Sequence, residues 1–196
     1  MDKQVIMWMA MVTLIGFPMV GMALMIFFSE ESISIMMRQR ADIYTQAAWG
    51  IGVGTAMGVI AHMVSGSKLL EPSTRRYSRL LGALRLNTID KVLISVCAGF
   101  GEELLFRGAL QWFWGIWPTA VIFVLIHGYL DPRDWRISIY GLLMTIFIGI
   151  LGYMMESLGI WSAILAHTMI DVVLLVRMKD DGPHIPIPSV EEDDPD

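Results

Sequence analysis

Charge is scarce in this sequence, and cysteine is nearly absent. Lys, Arg, Asp and Glu make up 17% of the 196 residues, whereas 55% are apolar, which excludes an ordinary soluble domain. The single cysteine, Cys97, excludes an internal disulfide. Residues 5–28 contain no charged residue and no histidine, and this run is long enough to cross about 30 Å of hydrocarbon. It is too long for the apolar core of a signal peptide, so we expect a retained first span.

Further apolar segments follow, and together they predict an all-α, polytopic membrane protein with about six transmembrane helices. The predicted spans are residues 5–28, 44–64, 91–117, 118–130, 137–155 and 159–176. Residues 1–176 are predicted to form a single integral membrane domain. The acidic, proline-rich residues 177–196 are predicted to be a disordered cytosolic tail. The basic, leucine-containing connection at 65–90 fits either an interfacial amphipathic helix or a solvated loop.

The lysines and arginines predict the orientation of the chain. Eleven of the 14 fall in segments on the N-terminal side of the membrane, against Arg38 and Arg40 on the other side and Arg107 within a span. We therefore expect a multi-pass protein of the cell (inner) membrane with cytoplasmic N- and C-termini. The net charge of −5 arises from five acids among the last six residues. The expected surroundings are a lipid bilayer, no nucleic-acid partner is expected, and the oligomeric state is left open.

Three charged residues interrupt the third span, and they are the first functional candidates. Glu102, Glu103 and Arg107 each carry an insertion cost of roughly 2.5–3.5 kcal/mol at bilayer depth, so their retention suggests a function. Glu103 and Arg107 are four residues apart on one helix face and can pair. Glu102 points about 100° away from Glu103 and is left available to face a cavity. A purely structural polar cluster is the alternative, although that would need only the pair.

Histidines in two later spans complete the candidate set. His127 lies in the fourth span, and His167 and Asp171 lie four residues apart on one face of the sixth. From the membrane face that each span enters, Glu102, His127 and His167 lie about 12–17 Å along their helices. They should therefore meet near the middle of the membrane, slightly toward its outer side.

A carboxylate and two imidazoles meeting in a wet cavity suit the activation of water. Glu102 would be the general base, and His127 would hold the water or share its proton. His167 and Asp171 would bind a substrate carbonyl or stabilise an oxyanion, with Asp171 fixing the tautomer of His167 or donating a hydrogen bond itself. The sequence offers no serine or cysteine beside a base and no His-Glu-x-x-His motif, which argues against a covalent nucleophile.

These residues resemble three motifs of the CAAX protease and bacteriocin-processing (CPBP, or Abi) family of intramembrane endopeptidases, which includes the type II CAAX prenyl endopeptidases. Residues 102–108 resemble its Glu-Glu-x-x-x-Arg motif, residues 123–127 its Phe-x-x-x-His motif and residues 167–171 its third, which ends in Asn or Asp. The resemblance covers about residues 80–176. It implies hydrolysis of a peptide bond in a membrane-associated, lipidated or C-terminal peptide or protein.

The resemblance also implies the roles of the individual residues. Glu102, His127 and His167 take the essential positions, and Glu103 and Arg107 match the supporting pair. Asp171 stands where many family members have Asn, and an ionised Asp171 would oppose an oxyanion. Family members have been described both as metalloproteases and as metal-free glutamate proteases. One carboxylate, two imidazoles and Asp171 suit zinc chemically, but we favour a site with no cofactor.

Other classes of function are also compatible with this sequence. A catalytically silent scaffold or immunity protein would keep the polar cluster for packing alone. A proton-coupled transporter is disfavoured because inverted repeats and broken-helix pairs are not evident. A di-iron oxidase is disfavoured because neither His127 nor His167 has a glutamate three residues before it. Nothing in the sequence selects a particular substrate.

Overall fold

The computed structural model describes residues 3–31, 33–70 and 86–177, and in these residues the fold is all-α, as predicted. Six helices lie at the six predicted segments. They are α1 (Lys3–Phe28), α2 (Ile43–Ser65), α3 (Thr88–Leu105), α4 (Ile116–Ile126), α5 (Trp135–Ser157) and α6 (Ile160–Arg177). A 3-10 turn (Ile33–Met37) lies between α1 and α2. A π-helical turn (Phe106–Leu110) and one α-helical turn (Gln111–Trp114) prolong α3, and we call residues 106–114 the α3 extension.

Four of the described helices are long and apolar enough to cross a membrane, namely α1, α2, α5 and α6. The chain is therefore a polytopic membrane protein. Helix α3 holds four charged residues, and with its extension it runs over residues 88–114, about 40 Å. Helix α4 has 11 residues and is about 16 Å long, roughly half of a hydrocarbon layer.

The fourth span is shorter than predicted. The sequence predicts it over 118–130, but α4 ends at Ile126 because Gly128 adopts a left-handed conformation with φ of 76°. The amide of Gly128 donates to Leu125 O and that of Tyr129 to Val124 O, as in a Schellman cap. His127 therefore lies at the end of a helix, not inside one.

The helices approach each other at glycines. A Cβ atom at Gly54 of α2 would lie 2.6 Å from the Cα atom of Ala166 in α6, and one at Gly99 of α3 would lie 2.9 Å from the amide of Thr168. Because lipid chains are as apolar as leucine, such close van der Waals contact is a main source of helix association in membranes. Helix α6, which carries His167, is therefore packed tightly between α2 and α3.

The two ends of the bundle are held by polar contacts. At one end the α1–α2 connection binds the turn between α5 and α6: the amides of Arg40 and Ala41 donate to Leu158 O at 3.0 and 2.9 Å. Gln46, which is fully buried, accepts from the amide of Trp161 at 3.1 Å. At the other end Lys3 Nζ lies 2.7 Å from Asp90 Oδ2 and links the first turns of α1 and α3.

Two predicted features lie outside the described residues. The amphipathic helix or loop of the 65–90 connection falls largely in residues 71–85, and the acidic tail falls in residues 178–196. The division into one membrane domain and a tail stays a prediction.

The close approach of α2 and α6 predicts opposite effects for two alanine substitutions on the same helix. Gly54→Ala should lower the free energy of unfolding by about 1–3 kcal/mol because the methyl group overlaps the Ala166 backbone. Gly52→Ala is the matched control: nothing lies within 4 Å of its Cβ position, so the better helix propensity should raise stability by up to about 1 kcal/mol. Unfolding in mixed detergent micelles measures both, and shifts of the same sign would contradict the packing.

Candidate functional site

The two glutamates lie in the last turn of α3, and Glu103 is the more buried. Its side chain is fully enclosed and faces Arg107, whose Nε lies 3.2 Å from Glu103 Oε2. Arg107 Nη2 also donates to the carbonyl of Ile148 in α5 at 3.3 Å. A buried charge is tolerated only when an opposite charge and hydrogen bonds compensate it, so each of these two groups makes the burial of the other tolerable.

His167 joins this pair from α6. Its Nδ1 lies 2.8 Å from Glu103 Oε1. Because a carboxylate beside a guanidinium accepts hydrogen bonds, we assign the proton to Nδ1. The opposite nitrogen, Nε2, faces two carboxylates, at 4.0 Å from Glu102 Oε2 and 3.6 Å from Asp171 Oδ2.

The partner that orients His167 differs from the one expected. The sequence suggests that Asp171 fixes its tautomer, but Asp171 lies on the Nε2 side at 3.6 Å, whereas Glu103 makes the short contact at Nδ1. Asp171 is one turn away on the same helix, so its side chain reaches the ring only obliquely. Glu103 is 64 residues away in sequence, and no local spacing could indicate that contact.

His127 approaches Glu102 from the end of α4. Its Nδ1 lies 2.6 Å from the carbonyl of Phe123, and because a carbonyl can only accept, Nδ1 carries the proton. Its Nε2 lies 3.4 Å from Glu102 Oε2. In neutral His127 this nitrogen is an acceptor. At 3.4 Å it is too close to Glu102 Oε2 for a water molecule to stand between the two atoms, so a water that donates to both must lie beside them.

Phe123 is a member of the site to which the sequence analysis gave no role. Its ring stacks on His127 with centroids 4.3 Å apart and meets the ring of His167 edge-on at 5.6 Å. The guanidinium of Arg107 lies over the same ring, 5.1 Å from its centroid. Phe123 therefore supports three of the six predicted site residues. The Phe-x-x-x-His spacing was the available signal, because residues four apart share a helix face.

The structure brings all six predicted site residues together: Glu102, Glu103, Arg107, His127, His167 and Asp171. Their side chains differ in how much of their surface is exposed. The side chains of His127 and Asp171 are 33% and 29% exposed and that of Glu102 is 13% exposed, so one side of the cluster is open. Three carboxylates and one guanidinium sum to −2, and a protonated His167 reduces this charge to −1.

The expectation that the site holds no cofactor stays a prediction. Within the residues that the structure describes, no three His, Cys, Asp or Glu side chains converge closely enough to hold a metal ion. No step below is routed through a metal.

Comparison with known proteins identifies the part of the chain that carries this cluster. Residues 84–173 match the family model of the type II CAAX prenyl endopeptidase Rce1-like proteins. This part of the chain is similar to the Rce1-like family. The predicted family resemblance is confirmed, and all six site residues lie within the Rce1-like stretch.

Among individual proteins, the uncharacterized protein YpbD of Bacillus subtilis is 32% identical to this chain over 90 residues. The match covers 45% of this chain and 45% of YpbD, so it spans about half the length of the curated relative. No solved structure is significantly similar to the chain.

The buried pair predicts a large effect on stability. Arg107→Met should lower the free energy of unfolding by about 3–5 kcal/mol because it leaves Glu103 buried without its counter-charge. Removing both charges, in Glu103→Gln combined with Arg107→Met, should cost less than Arg107→Met alone. Arg133→Met, at an exposed arginine, is the control and should change stability by no more than about 0.5 kcal/mol. Equal losses in the single and double variants, measured by unfolding in micelles, would contradict the pairing.

Proposed function

We propose that this protein is an intramembrane endopeptidase that hydrolyses a peptide bond of a membrane-associated peptide or protein with water activated by Glu102 and His127. One observation carries the proposal. Side chains from three separate helices meet at Glu102 Oε2, with His127 Nε2 at 3.4 Å and His167 Nε2 at 4.0 Å. The Rce1-like match supports the class of reaction, because the family is described as an endopeptidase.

The proposed first step takes place beside Glu102 and His127. A water molecule there donates one hydrogen bond to Glu102 and the other to His127 Nε2, whose acceptor state is fixed by the Nδ1 contact to Phe123 O. Glu102 takes a proton as the water oxygen attacks the scissile carbonyl carbon. The proton then passes from Glu102 to the leaving nitrogen as the C–N bond breaks, which gives a carboxylic acid and an amine.

His167 is placed to stabilise the oxyanion formed in that step. Because Nδ1 donates to Glu103, Nε2 can also donate only when the ring carries both protons and a positive charge. The Glu103 carboxylate stabilises that imidazolium. A charged donor at a developing oxyanion is worth about 10²–10³-fold in rate. In this scheme Asp171 acts on the charge of His167 and does not contact the oxyanion.

Substrate and orientation are also part of the proposal. A lipidated peptide is the first substrate to test, because the family description names CAAX prenyl endopeptidases. We propose cytoplasmic N- and C-termini in the cell membrane, supported by eleven of 14 basic residues on one side. The proposed scheme uses no resident cofactor, because Glu102 is the base that activates the water.

The decisive assay is cleavage of fluorogenic peptides, lipidated and unlipidated, by purified protein. Glu102→Gln is nearly isosteric and should lower kcat/KM by at least about 10²-fold because the general base is lost, as should His127→Ala. Glu30→Gln, at an exposed carboxylate outside the cluster, is the control and should be unchanged.

The same assay separates the alternatives. Cleavage that survives a chelator supports the metal-free scheme, whereas loss on chelation that zinc restores would make these residues ligands. Full activity in Glu102→Gln would refute the assignment of the base. Absence of cleavage by every form, wild type included, would favour the catalytically silent scaffold.

The role given to Asp171 predicts graded effects in the same assay. Asp171→Asn should lower kcat/KM less than about tenfold, because an amide keeps a polar group near His167 Nε2. His167→Ala should lower it by about 10²-fold or more, since the oxyanion donor is removed. A larger loss from Asp171→Asn than from His167→Ala would mean that Asp171 contacts the reacting atoms.

A further inference from the structure

Buried polar atoms without a hydrogen-bond partner are concentrated in one part of the bundle. In the residues that the structure describes, all five such side-chain atoms lie between positions 102 and 119, although two of them make ion-pair contacts. They are Glu102 Oε2, Glu103 Oε2, Arg107 Nη1, Gln111 Oε1 and Thr119 Oγ1. Elsewhere, the buried Ser162 and Thr145 hydroxyls donate to backbone carbonyls. The proposed hydrolysis gives no role to Gln111 or Thr119.

Gln111 connects the cluster with the surface. Its Nε2 donates to the carbonyl of Gly152 at 3.2 Å and to Glu156 Oε1 at 3.1 Å. One turn earlier, Arg107 donates to the carbonyl of Ile148. Ile148, Gly152 and Glu156 are spaced by four on α5, and Glu156 is exposed. A continuous polar row therefore runs along the α3 extension from Glu103 to an exposed carboxylate.

Thr119 adjoins the same row from α4. A Cβ atom at Gly152 would lie 2.7 Å from Gln111 Oε1 and 2.8 Å from Ile116 Cγ2, so Gln111 and the first turn of α4 meet at this glycine. Thr119 follows Ile116 by one turn and is 1% exposed. It shares a helix face with Phe123 and His127. The side chains of Gln111 and Thr119 thus lie along two elements that both lead to the cluster.

An amide oxygen and a hydroxyl are retained in a bundle interior only when something satisfies them, and buried water commonly does so. We infer that Glu156, Gln111 and Thr119 hold a file of water molecules that joins the exposed end of α5 to the Glu102–Arg107 cluster. Its role in catalysis rests on the proposed function, since hydrolysis consumes one water in each turnover.

This route is separate from the open side of the site. Glu156 lies where α5 turns into α6, whereas Asp171 is 11 residues along α6 from Ile160, about 17 Å away. A peptide bound against His127 and Asp171 would cover the open side. Water would still reach Glu102 through the row, from the opposite end of the bundle.

Hydration of the row can be measured without catalysis. Thr119→Val replaces the hydroxyl by a methyl group of the same shape. If water satisfies the hydroxyl, the melting temperature in micelles should fall by roughly 2–4 °C, because a hydrogen bond is lost. If the hydroxyl is dry and unpartnered, the melting temperature should rise. Thr145→Val, at a buried threonine bonded to Gly141 O, calibrates the loss of one satisfied hydroxyl. An unchanged or higher melting temperature for Thr119→Val would overturn the inference.

The supply of water to the reaction is tested at Gln111. Gln111→Leu should lower kcat for peptide cleavage at least fivefold and leave KM unchanged, because the peptide binds elsewhere. A variant that damaged the packing would raise KM as well. An unchanged kcat in Gln111→Leu would overturn the supply route and leave the proposed function intact. If the wild type cleaves nothing, the proposed function fails, and the Thr119→Val result still decides whether the row is hydrated.

Discussion

The contact between Glu103, Arg107 and His167 is the interaction on which the rest of the site depends. Inside a helix bundle, the desolvation free energy of an unpaired carboxylate or guanidinium is not offset by van der Waals packing. Here Glu103 meets Arg107 through one oxygen and His167 through the other, and Arg107 reaches the α5 backbone. One buried carboxylate thereby ties α3, its extension, α5 and α6 into a fixed arrangement.

That arrangement requires the helices to approach each other closely, and glycines at the contacts permit this. The 2.8 Å contact between Glu103 and His167 requires α3 and α6 to lie almost backbone to backbone, and Gly99 permits this because it has no side chain to meet Thr168. On the other face of α6, Gly54 lets α2 close against Ala166. The small residues of α2 and α3 thus serve the site indirectly, since they hold His167 at its distance from the glutamates.

Much of this could be predicted from the sequence because the signals are local. Runs of apolar residues indicated the helices, and the four-residue spacing of Glu103 and Arg107 indicated their pairing. The parts that were missed depend on distant residues or on helix ends. No spacing rule links Glu103 to His167, 64 positions away, and apolar periodicity does not show where α4 stops. Gly128 was a readable sign of that end, but an isolated glycine inside an apolar run has several meanings.

The early end of α4 places irregular backbone next to the site. A helix of about 16 Å covers roughly half the thickness of the hydrocarbon layer, and the chain continues from it as irregular backbone at residues 127–134. Non-helical backbone cannot face acyl chains directly, so it must be shielded by protein or bathed in water, and the adjacent leaflet must thin toward it. For the proposed endopeptidase, bilayer thickness would set how far a peptide at the headgroups must move to reach Glu102. Acyl-chain length would then be a determinant of access, independent of any residue in the chain.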